Sequence, residues 1–478
     1  MKKNFKLIFG LASTLLLAGC GAKPGVSTLP PMDEALASSI DEQLEIVGAD
    51  AIYGNIYLQE EIEGATIKWE SSDVNIINPN WDGDMAPGVV SRPNEDTTVT
   101  LTATAEKDGT AAKFTREVTV KGLDYEIQDE EYVGYLMGHF ISDSGANGEQ
   151  IYFALADEGQ GLNFKDMNKK QPVLKSTVGE KGVRDPYICR SPEGDRFFLV
   201  ATDLSINNRG GWKKNAQGYY DPSCTGSHDL ILWQSNDLVN WGDPYVIKDV
   251  APENAGMAWA PEMIYDDNAG EYLIFFASSI MNTETKYKAK PNAIYYTATR
   301  DFVHYSETKL FIDNYDEPDG KAREIIDTTV IKIDDTYYSA SKDGDNDENN
   351  GGIRIMKTTD LRDPTSWEKV MNLADTGLKA SNRALDNKLL EGPEFFRYNR
   401  DDRRDADIDE YGLWADQYAI SGGYLPLSTT DIEDTTSSSW KVLAQSEYSF
   451  DSLKKRHGTI LRLTSEEIAR IKEAYPAA

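Results

Sequence analysis

The chain is 478 residues long and has only three cysteines and four histidines. His139, His228, His304 and His457 are widely scattered, and no CxxC pair or Cys/His cluster exists, which removes HExxH-type zinc chemistry. Also missing are the Gly-rich phosphate loop, the dinucleotide-binding glycine fingerprint and the GxSxG elbow, so nucleotide-dependent enzymes and serine hydrolases are disfavoured. No run of about 18 apolar residues is available to cross a membrane as an ordinary helix. Basic residues are scarce, 49 Lys and Arg against 80 Asp and Glu, and the net charge of −31 would repel a nucleic-acid backbone. What is present, 40% hydrophobic and 27% charged residues, fits a globular chain of two or three domains and excludes a mostly disordered one.

Residues 1–20 carry Lys2, Lys3 and Lys6, an apolar run from 7 to 17, and then Leu17-Ala18-Gly19-Cys20. That order reads as an export signal. A Cys directly after Leu-Ala-Gly resembles the bacterial lipobox, which implies that Cys20 is acylated, becomes the new N-terminus and anchors an exported protein at the bacterial cell surface. Residues 21–31 form a Gly/Pro/Ser linker, which argues against a buried first helix. The remaining Cys189 and Cys224 could pair, and their spacing leaves that open.

Residues 34–46 have weak helical periodicity, and strands follow. Residues 99–105 alternate apolar side chains with threonine, Lys107-Asp108-Gly109-Thr110 makes a turn, and residues 114–120 return with the same alternation. Residues 32–123 are expected to form a small β-sandwich. The segment resembles the immunoglobulin-like modules that precede many secreted bacterial polysaccharide enzymes, with a spacer or docking role favoured over sugar binding.

Residues 124–478 carry two interleaved repeats. The first is Ser235-Asn236-Asp237-Leu238 with Trp241, Thr299-Arg300-Asp301-Phe302 with Tyr305, and Thr359-Asp360-Leu361 with Trp367, with weaker copies at Asp157 and Asp431. These aspartates lie 80, 64, 59 and 71 residues apart. The second is Arg184-Asp185-Pro186, Trp259-Ala260-Pro261, Ile326-Asp327-Thr328, Glu391-Gly392-Pro393 and Arg456-His457-Gly458. Units of this size, built of short strands and polar turns, predict an all-β five-bladed propeller, with an irregular sandwich as the alternative. The first and last copies each lack a partner, so residues 132–164 and 456–463 are expected to share the blade that closes the ring.

Inner propeller strands start at the central channel, so Asp185, Asp327 and Glu391 should converge there from one structural register. With Trp259-Ala260-Pro261, these motifs in this order resemble glycoside hydrolase family 43, five-bladed propeller enzymes acting on arabinose- and xylose-containing plant polysaccharides. The resemblance covers about residues 132–463. It implies Asp185 as general base, Glu391 as general acid and Asp327 as the residue that tunes and orients that acid. Inversion needs one carboxylate to activate water and one protonated acid on the opposite face of the sugar, about 6.5–9.5 Å away. A glutamic acid that must keep its proton gains from a nearby negative Asp327.

Trp259 is expected to form an aromatic wall for a sugar ring, or else to be core. Arg184 could pair with Asp327, meet a sugar hydroxyl or only offset negative charge. His457 could bind water, a structural Ca2+ of the kind the family often holds in the channel, or make an ordinary hydrogen bond. The chemistry itself requires no cofactor. The resemblance thus implies an inverting α-L-arabinofuranosidase. β-Xylosidase or endo-arabinanase activity and a glycan-binding propeller without catalysis are the rivals. The expected partners are plant-derived arabinose- or xylose-containing glycans and, through Cys20, a membrane; nucleic acid is not expected.

Overall fold

The computed structural model describes residues 29–285, 287–313, 324–343, 352–386 and 388–477. The export signal and Cys20 lie outside the described residues. The chain forms two compact units, one of residues up to Glu45 with Gln59–Glu70 and Leu101–Arg116, the other of Ile46–Leu58, Ser71–Thr100 and residues from Glu117 onward.

The first unit opens with the helix Glu34–Gln43, whose N-cap Asp33 accepts from the N–H groups of Ala35 and Leu36. In the strand Ala65–Ser71, the side chains of Ala65, Ile67 and Trp69 are buried and those between them exposed, the pattern of a half-buried sheet. The hairpin Thr97–Lys107 and Thr110–Val120 turns at Asp108 and Gly109, with φ of 50° and 76°. Positive φ at both central residues is the demand of a type I′ turn, which Asp-Gly meets cheaply.

Among the described residues, the second unit contains five four-stranded antiparallel sheets. From the inside outward, blade 1 is Val183–Arg190, Phe197–Asp203, Leu230–Ser235 and Tyr245–Ile247, and blade 2 is Trp259–Asp266, Glu271–Met281, Lys288–Thr299 and Lys309–Ile312. Blade 3 is Ile325–Ile333, Thr336–Asp343, Gly352–Thr358 and Glu368–Asn372, and blade 4 is Glu391–Arg397, Tyr411–Asp416, Tyr424–Thr429 and Lys441–Val442. Blade 5 takes its inner strand, Arg456–Thr464, from the end of the chain, and the other three, Tyr132–Phe140, Tyr152–Ala156 and Lys165–Asp166, from its start. The inner strands touch in the cyclic order 1-2-3-4-5-1. This is the propeller expected from the repeats, closed as its two orphan copies require, so two sheet edges disappear.

The first repeat is turn chemistry. Asp237, Asp301, Asp360 and Asp431 each follow a third strand, and each side chain accepts the N–H two residues on. An Asx turn needs a short carboxylate at that point. Between blades the packing is apolar and aromatic; Phe164 of blade 5 meets Trp414 of blade 4 edge to face at 5.8 Å. Cys189 and Cys224 are both free thiols, Cys189 buried with its thiol pushed up to about 12 by burial.

The closing blade also holds an ion pair, Asp166 with Lys455, both fully buried. Asp166 accepts in addition from the N–H groups of Ser452 and Leu453, and Lys455 donates to the carbonyls of Phe450 and Leu453. Removing one partner strands a buried charge at the seam of the ring. Asp166→Ala should therefore destabilise by roughly 3–5 kcal/mol and lower the thermal unfolding midpoint by roughly 5–10 °C in calorimetry.

Candidate active site

At the start of every inner strand the pairing slips. The slips lie between Arg184 and Tyr187, Trp259 and Glu262, Ile326 and Thr328, Glu391 and Glu394, and Arg456 and Thr459. Within them Asp185, Ala260, Asp327 and Gly392 have φ of 49°, 47°, 51° and 52°. A bulge with one left-handed residue re-aims the side chains beside it, and Asp tolerates that conformation better than most. Gly392 has a second reason to be glycine, since an added Cβ would lie 2.5 Å from the His457 ring.

The expectation of a single register for the three acids is therefore corrected. Asp185 and Asp327 are themselves the left-handed residues, whereas Glu391 stands one residue earlier, level with Arg184 and Trp259. Its side chain, one methylene longer than aspartate, brings the carboxyl to the same cavity.

That cavity has a volume of about 730 Å³, and Asp185, Asp327, Glu391, Trp259, Arg184 and His457 all line it. Asp185 accepts from Thr202 Oγ1 at 2.9 Å and lies 3.5 Å from His457 Nδ1. Burial opposes its charge, but the hydrogen bond and charge of His457, with Arg184 and Thr202 adding to them, hold the carboxyl below the ordinary aspartate range. His457 is raised to about 9 by the same bond and by the negative charges of Asp185, Asp327 and Glu391, which together outweigh its burial. Asp327 behaves oppositely. Burial, aided by Glu391 and Asp185 and opposed by His457 and Lys342, pushes it up to about 6. Its Oδ2 accepts the N–H of Gly392 at 3.2 Å, so it holds the backbone beside Glu391.

Glu391 carries a cation on each oxygen. Lys342 Nζ lies 2.9 Å from Oε2, and Arg456 Nη2 lies 3.3 Å from Oε1. Arg456 is fixed in turn by buried Asp416 at 2.6 Å. Arg184 does not pair with Asp327; it binds Asp143 at 2.9 Å and Glu149 at 3.2 Å and is nearly buried. Trp259 is partly exposed at the rim, edge to face with Trp212 at 6.2 Å, so the core alternative is set aside. Trp212 is tied down through its Nε1, which donates to Asp143 at 2.9 Å.

Sequence reasoning missed Asp143, Trp212, Lys342 and Asp416. For two of them a signal existed. The second-strand position opposite the first bulge residue is Thr202 in blade 1, Lys342 in blade 3 and Asp416 in blade 4. All three serve the pocket.

Deeper in the channel, Glu262 and Glu394 sit at the inner ends of their bulges, both buried and near enough for their charges to repel. Burial and mutual repulsion raise Glu262 well above the carboxylate range, and burial brings Glu394 to about 7.

The donor set does not fit a Ca2+ held by the protein. One His457 nitrogen faces Asp185, five lysine and arginine side chains line the cavity, and among the described residues no group of three or more His, Cys, Asp or Glu is arranged to hold a metal.

A propeller whose inner strands deliver several carboxylates and a tryptophan to one sugar-sized cavity is built as a glycosidase is built. Residues 130–469 match the family model described as "Probable glycosyl hydrolase domain", and the chain belongs to this glycoside hydrolase family 43-related group. Residues 37–123 match the model for an atrophied bacterial Ig domain. An α-L-arabinofuranosidase of Bifidobacterium longum subsp. longum is 30% identical over 463 residues, 88% of this chain. The match spans only 41% of that relative's length. Among solved structures, an α-L-arabinofuranosidase from Lactobacillus brevis is 18% identical over 57% of this chain and 74% of its own, with a TM-score of 0.36. An endo-1,4-β-xylanase from Bacteroides thetaiotaomicron is 13% identical over 68% and 92%, with a TM-score of 0.41.

Proposed function

We propose that this chain is an inverting α-L-arabinofuranosidase that removes arabinofuranosyl residues from plant-derived glycans. The observation that carries the reading is the pairing of an ionised Asp185 on blade 1 with Glu391 on blade 4, non-adjacent blades facing one cavity. Asp185, its charge stabilised by protonated His457, takes the proton of an attacking water. Glu391 delivers a proton to the departing oxygen from the other side of the ring. Asp327 positions Glu391 through the Gly392 N–H, and Trp259 offers an aromatic face to the sugar. The route draws on carboxylates and water alone. The choice of arabinose follows the Bifidobacterium relative, and it is tested by turnover of aryl α-L-arabinofuranoside, aryl β-D-xyloside and arabinan. The arabinofuranoside should be the preferred aryl substrate; faster xyloside turnover would replace the reading with a β-xylosidase.

The lysine-led apolar leader and Leu17-Ala18-Gly19-Cys20 support export and lipid anchoring at the cell surface. Labelled fatty acid should enter the native protein and not Cys20→Ser, which should be released with its activity toward soluble glycosides intact. Label persisting in the variant contradicts the anchor.

A further inference from the structure

Glu391 is the proton donor in the proposed route, yet both of its oxygens face cations, and these two cations differ in kind. Arg456 is held by others: its Nε is on Asp416 and its Nη1 is 3.4 Å from Asp143. Lys342 comes from the second strand of blade 3, opposite Ile326 and hence beside the Asp327 bulge. It crosses to blade 4 to reach Glu391, with its ammonium 4.1 Å from the centre of the Tyr418 ring. Its side chain is 13% exposed, so water screens the pair little. The equivalent residue of blade 1, Thr202, bonds Asp185 directly. The second strand therefore supplies one supporting side chain to each of the two acids, on the two sides of the cavity.

We propose that Lys342 is a positioning residue for proton donation: bound to Glu391 from beside the Asp327 bulge, it fixes the Glu391 carboxyl in the cavity and sets how strongly Glu391 holds its proton. The proposal rests on Glu391 being the acid. A cation at hydrogen-bond distance favours the charged form of a carboxyl, while Asp327 favours the neutral form, so proton affinity is a balance of the two. Around this pair the cavity also holds Asp327, Asp185, His457, Arg456, Tyr418, Asp143, Arg184, Lys288, Glu324 and Lys454, with Asp416 paired to Arg456.

The test is a set of pH profiles of kcat/KM for Lys342→Met, Lys342→Gln and Lys342→Arg. Two arabinofuranosides are used, one whose leaving group needs protonation and one, dinitrophenyl, whose leaving group does not. For the first substrate, the Met and Gln variants should lose about tenfold or more and move the alkaline limb up by about one pH unit. For the dinitrophenyl substrate the loss should be small and any remaining limb, which then belongs to His457, should stay close to its native pH. Lys342→Arg keeps the charge and should keep the native limb. An unmoved limb, or equal losses on both substrates, in a variant with native thermal stability would make Lys342 a merely structural residue. Glu391→Ala in the same assay separates the two failures. If its loss does not depend on the leaving group, the proton-donor reading itself falls; if its loss does and that of Lys342→Met does not, only the present proposal falls.

Discussion

Glu391→Ala should lose about 100- to 10,000-fold in kcat/KM on arabino-oligosaccharides, the usual worth of a general acid, and far less on an arabinofuranoside with a dinitrophenol leaving group. The asymmetry follows from the chemistry. An alkoxide is a poor leaving group and departs only as a proton arrives, whereas dinitrophenolate is stable on its own. The variant should keep its fold, because Glu391 lines a cavity, Arg456 retains Asp416 and Lys342 keeps the negative charge of Asp327 near it. A loss that is the same for both leaving groups would remove Glu391 from the role of acid.

The second large effect is expected at Asp185. Asp185→Ala takes away the group proposed to accept the proton of the attacking water, a step common to every substrate, so kcat/KM should fall by about 100- to 10,000-fold whatever the leaving group. The change also removes the hydrogen-bond partner that first lifts His457, so the imidazole should titrate below its native value of about 9. In the native protein the folded-state value of His457 is raised above the unfolded one. Its contribution to stability is therefore complete below about pH 6.5 and is lost as the pH rises through about 9. Proton NMR of the imidazole and the rate assay together check both consequences. A loss that depends on the leaving group would contradict the role of base.

The architecture was legible because its repeats have local causes. An Asx turn follows the third strand of blades 1 to 4, so Asp237, Asp301, Asp360 and Asp431 mark those blades in the sequence itself. The bulge register was less legible. Aligning acid with acid joined Asp185 to Glu391, whereas aligning Pro186, Pro261 and Pro393 joins Asp185 to Ala260 and Gly392, which is the alignment the left-handed residues adopt. Lys342, Asp416 and Asp143 were hidden for a different reason. Lys342 meets Glu391 across blades, while Asp416 and Asp143 hold the arginines beside the acids, so the second-strand position that marks Lys342 and Asp416 becomes readable only once the strand pairing is known. The pairing of Arg184 with Asp143 and Glu149 depends likewise on segments more than thirty residues away from it.

In the proposed route two carboxylates flank the sugar and water attacks directly, without a covalent intermediate. Time-resolved proton NMR of an aryl α-L-arabinofuranoside during hydrolysis reads this in the first anomer released. Direct attack opposite the leaving group should yield the β-anomer first, followed by slow equilibration to the α-anomer. First appearance of the α-anomer would mean retention through a carboxylate nucleophile and would contradict the roles given to Asp185 and Glu391.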